Sequence, residues 1–218
     1  MSNYGNAFFS PDSKQYPGSV VPVWLEVKER KIAGGTVDIS DFPKGTLIPA
    51  GIPVNLNVMG GTATLLDYFE VVGAVAATDT SVVLKSVGGL VKDPSGLVVG
   101  KVDPATGIAA KAIELGTGTA STSEGHEGEY TFTITANDLG VLADGDVLHI
   151  VSAEGSNKPA VKPTGLSWRQ IYIDSDNATY GTVAVVTKGQ VLADRIPAVD
   201  DYIKNALPGI TFEYEQSE

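Results

Sequence analysis

β-Branched residues set the first limit on this chain: 26 Val, 13 Ile and 18 Thr stand against 15 Leu. Two heavy atoms on Cβ stiffen χ1 and crowd a helix, whereas the same side chains pack well on a pleated surface. The 25 Gly and 12 Pro among 218 residues interrupt the chain more often than in an average protein. Apolar residues make up 43%, enough for a real core. The composition therefore predicts a mainly β fold: a turn-rich β body with an extended N-terminal arm and one short C-terminal helix.

A formal charge of −11 without a basic run offers no counterion release, so nucleic acid is not an expected partner. The same charge works against an anionic membrane surface, and no apolar run nears the roughly 18 residues that span a bilayer. The opening MSNYGNAFFSPDSKQYPGS lacks a charged region followed by an apolar one, which argues against a secretory signal and for synthesis in a cytoplasm. With no cysteine, disulfides, thiolate metal sites and cysteine nucleophiles drop out together.

Along the chain, residues 1–20 read as the arm, with Gly5, Pro11, Pro17 and Gly18 set among Tyr4, Phe8, Phe9 and Tyr16. Such a segment has no core of its own, so its four aromatics need another surface and are the expected partner-contact residues. A β body follows over 21–115. VVPVWLEVKE (20–29) and TVDIS (36–40) read as strands, with Gly34-Gly35 as the turn between them. Pro43, Pro49 and Pro53 fall too close together for a helix or a central strand. YFEVVGAVAATDTSVVLKSV (68–87) supplies one or two strands, and Asp93-Pro94 and Asp103-Pro104 mark turns.

Residues 116–128, GTGTASTSEGHEG, are low in complexity and read as a flexible loop or linker. An inserted or outward-facing β region takes 129–180. It begins with Tyr130, Phe132 and Ile134 alternating with threonines, turns at Asp144-Gly145 and returns through VLHIVS. A closing strand–helix–strand unit occupies 181–218. Its helix is predicted over 198–207, with Val199, Tyr202, Ile203 and Ala206 on one stripe, Asp200 and Asp201 in its first turn and Pro208-Gly209 as its stop.

Chemistry is sparse. No nucleophile elbow, zinc-protease motif, phosphate loop or dinucleotide fingerprint occurs, so the chain does not read as an enzyme and no cofactor is expected. His126 lies in the low-complexity loop, and His149 sits within a strand, where a structural role is the expectation. Glu127 with Glu129, or Asp144 with Asp146, meets the minimum of a glycosidase, but no aromatic cleft accompanies either pair. Asp174, Asp176 and Asn177 in DSDNATYG are of the type that ligates calcium, without the regular spacing of a calcium loop; an Asx-rich turn is the plainer reading. Trp24 and Trp168 lie within predicted strands, where core packing is the default and a sugar-stacking platform the alternative.

Two stretches carry a resemblance. Gly45-Thr46-Leu47 with Ala50-Gly51-Ile52-Pro53-Val54 follows the arm; Val191-Leu192, the 198–207 helix and Gly209-Ile210 close the chain. This plan resembles the lambda-type head decoration proteins and related head fiber proteins of tailed phages, over about a third of the chain. The resemblance implies a virion structural protein made in the host cytoplasm. It would bind the major capsid protein on the outside of the head as a homotrimer, the arm reaching neighbouring shell subunits and no catalytic residues being involved. A carbohydrate- or receptor-binding β module, such as a phage fiber or surface adhesin, is the alternative, and an exposed ring of aromatics around Trp168 would favour it.

Overall fold

The computed structural model describes residues 23–40, 42, 44–87, 93–126, 128–152, 157–174 and 179–215. Strands take 46% of the chain and helix 6%, so the protein is mainly β. The strands begin with β1 (Trp24–Asp38), β2 (Leu47–Ile48), β3 (Pro53–Asn57), β4 (Thr62–Leu65), β5 (Tyr68–Val71) and β6 (Ser81–Ser86). Next come β7 (Val98–Gly100), β8 (Val102–Asp103), β9 (Ile108–Ala109), β10 (Ile113–Glu114), β11 (Thr119–Ala120) and β12 (Glu129–Thr133). The last are β13 (Val147–Ile150), β14 (Gly165–Ser167), β15 (Ile171–Tyr172), β16 (Tyr180–Leu192) and β17 (Ile210–Glu213). One α-helix, α1 (Asp201–Ala206), precedes β17.

Five strands close a ring. β1 runs antiparallel to β16 from Trp24 opposite Val191 to Asp38 opposite Tyr180. It meets β4 in parallel at Thr36–Thr62, β4 pairs with β3, β3 with β14, and β14 returns to β16. β17 extends the far edge of β16 in parallel. Alternation puts every second side chain inside such a ring. Val37, Val54, Leu56, Ala63, Leu65, Val183 and Val185 accordingly form one buried cluster, joined by Ile39, Ile48, Ile52 and Ile173.

Gly34-Gly35 is not the expected turn: both glycines lie within the single long strand β1. Gly34 has φ +53°, and a Cβ there would fall inside the carbonyl of Val183; one at Gly35 would sit 2.7 Å from Ala63 Cβ. The two positions are glycine because neighbouring backbone passes too close for a side chain, and they form a bulge where register slips between Lys31 and Gly35. The prolines allow a central strand too, because Pro53 stands first in β3, where a missing N–H interrupts little of the ladder.

The second sheet holds seven antiparallel strands in the order β10-β7-β13-β5-β6-β12-β11. Laid flat at ~4.8 Å per strand, its outer strands would stand roughly 29 Å apart. Glu114 of β10 and Thr119 of β11 are only five residues apart, a reach of at most ~18 Å. The sheet must curl, and the connecting chain crosses its open side so closely that a Cβ at Gly118 would lie 2.5 Å from the Phe132 ring. Phe69, Val71, Leu84, Val99, Phe132 and Leu148 fill the interior.

β12 and β13 are not an out-and-back pair, as 129–155 suggested. The β5–β6 hairpin lies between them, a Greek-key order in which β13 returns beside β5. β5, β6, β7 and β10 to β13 all come from 68–150, between β4 and β14, so the one sheet runs across positions 115 and 129, while β8 and β9 form a ribbon of their own. The low-complexity stretch 116–128 misleads because it carries the edge strand β11. Its backbone is tied in by bonds from Ser121 N–H to the Glu129 carbonyl (2.8 Å) and from Gly118 N–H to Ser95 Oγ (2.9 Å).

A third apolar cluster joins the two sheets. Tyr68, Val147 and Val151 of the inserted sheet pack with Leu166, Val191 and Ile210 of the ring and with Tyr202 and Ile203 of α1. The helix is shorter than the predicted 198–207. Asp200 is its cap, its Oδ1 accepting from Ile203 N–H at 2.9 Å, and the turn that follows Leu207 ends it.

Candidate functional site

The four arm aromatics Tyr4, Phe8, Phe9 and Tyr16 lie outside the described residues. The chain that follows them is fixed where it enters the ring: Leu192 N–H donates to the Val23 carbonyl at 2.8 Å. Val23, the first described residue, therefore sits at the end of the ring shared by β1, β16 and β17.

His149 is more deeply placed than the sequence suggests, at 1% exposure. Its Nε2 donates to Asp200 Oδ2 at 2.8 Å, across from β13 to the cap of α1. Its ring stacks on Tyr68 (centroids 5.9 Å apart) and meets Tyr202 edge-on at 5.0 Å. Burial holds the Tyr68 phenol well above the usual tyrosine range, with the charge of Asp200 and then Glu70 adding to it; burial and Asp200 raise Tyr202 in the same direction. Tyr68 Oη has no hydrogen-bond partner among the described residues. With Tyr68 and His149 both closed to solvent, this group fastens the inserted sheet to the helix of the ring. A strand histidine and a helix-start aspartate 51 positions apart are ordinary one by one, so the sequence did not pair them.

The carboxylates singled out from sequence hold structure. Glu129 lies between His126 Nδ1 (2.8 Å) and Lys85 Nζ (3.9 Å), while Glu127 is outside the described residues. Asp146 accepts from Lys101 Nζ (2.6 Å) and Ala143 N–H (2.8 Å), and Asp144 accepts from Gly73 N–H (2.7 Å). Of the three candidate ligands in DSDNATYG only Asp174 is described, and it is exposed; Asp176 and Asn177 lie outside the described residues. Among the described residues no three His, Cys, Asp or Glu groups come together as a metal site.

The two tryptophans meet on the outside of the ring, where Trp24 Nε1–H donates to the Trp168 carbonyl at 3.0 Å. Trp168 lies just past β14 and not within a strand. The Arg30 and Arg169 guanidinium carbons stand over its ring at 3.6 and 4.0 Å from the centroid. Two cations thus stand against the π surface that a stacking sugar would use.

What remains open is apolar surface on the ring body. Leu47 and Tyr172, both exposed, are cross-strand partners in the β2–β15 ribbon. Val58 and Met59 stand out at the tip of the β3–β4 hairpin. The two stretches that carried the resemblance approach each other at Gly51, where a Cβ would run into the Ile196 side chain. No protein family, no curated protein and no solved structure matches the chain.

Proposed function

We propose that this chain is a virion structural protein, a capsid decoration protein that binds the outer surface of a phage head as a homo-oligomer and stabilises the shell. One observation carries the reading. The Gly45–Val54 segment and the Val191–Ile210 segment, far apart in sequence, belong to one ring body, and the strands of the second sheet all come from the stretch 68–150 between them. Val23, three residues after the arm in sequence, is part of that same ring body, its carbonyl accepting from Leu192 N–H. Burying Tyr4, Phe8, Phe9 and Tyr16 against shell subunits would supply the contact area, since aromatic side chains dominate such interfaces.

Quantitative mass spectrometry of purified particles from the source culture tests this. The expected result is a copy number near one per major capsid subunit, or a simple fraction set by the lattice; absence from particles overturns the reading. Deleting residues 1–19 should leave the β body folded and abolish attachment to the head.

A further inference from the structure

We draw no further inference here: the strongest candidate, the exposed apolar pair Val58 and Met59 at the tip of the β3–β4 hairpin, is a surface patch, and nothing in the structure shows what covers it.

Discussion

Replacing Tyr68 by Phe should stabilise the protein, although it removes a polar group from beside a buried histidine. Tyr68 is 1% exposed, and its hydroxyl finds no partner among the described residues. Taking such a group out of water without a new hydrogen bond costs about 1–3 kcal/mol. Phe keeps the ring that stacks on His149. The void left by one oxygen, roughly 10 Å³, returns only ~0.2 kcal/mol at ~24 cal/mol per Å³. The net gain of ~1–2.5 kcal/mol corresponds to a rise of roughly 2–10 °C in Tm for a chain of this size. Urea unfolding followed by tryptophan fluorescence should show a higher midpoint with an unchanged m-value. The alkaline limb supplies a second readout. The folded phenol is held well above its ordinary value of 10.0, so the folded state keeps its proton when the unfolded chain has lost it. Stability is therefore full below pH 10 and falls above it, by about 1.4 kcal/mol per pH unit from this group. The Phe variant should lose that part of the slope and retain the part due to Tyr202. A variant less stable than wild type at neutral pH, with the alkaline slope intact, would refute the reasoning.

Two further substitutions test the closures between distant segments. Asp200→Ala removes the α1 cap and leaves buried His149 unpaired; a loss of about 2–4 kcal/mol is expected in urea unfolding, and Asp200→Asn, which can still cap, should lose less. Gly34→Ala forces a side chain into the Val183 carbonyl at positive φ. It should cost at least ~2 kcal/mol and speed amide exchange along β1 and β16, with the inserted sheet left protected.

Sequence made the local elements legible wherever apolar alternation and turn chemistry agree. Phe132 and Ile134 face the core, and the Asp93 and Asp103 carboxylates accept the N–H groups of Ser95 and Ala105 two residues on. What it hid was pairing between distant strands. Nothing local says that Trp24 lies opposite Val191, or that β5 and β6 separate β12 from β13. Gly34-Gly35 shows why. A double glycine reads as a turn because turns are where glycine is most often required, yet here the requirement comes from β16 and β4 pressing on the backbone. The site behaved in the same way: His149 and Asp200 were each legible as residue types, and their bond is a product of the tertiary fold.

The polar residues that looked like candidate chemistry turn out to sit where the fold most needs its register fixed. Slipping a strand by one residue turns its apolar set to the other face, and alternation alone does not distinguish registers two residues apart. β1 and β16 carry four irregularities in a single pairing, so alternation specifies their alignment poorly. That alignment is fixed instead by particular groups: Gly34 beneath Val183, Arg30 stacked on Trp168, and Trp24 bonded to the Trp168 carbonyl. The turn that feeds β13 is held the same way by Asp144 and Asp146 on Gly73, Ala143 and Lys101. His149 and Asp200 then lock that strand to the ring. Groups spent on holding register are not available to a ligand. The function of the ring body therefore has to be sought on the edges and apolar tips that those groups leave uncovered.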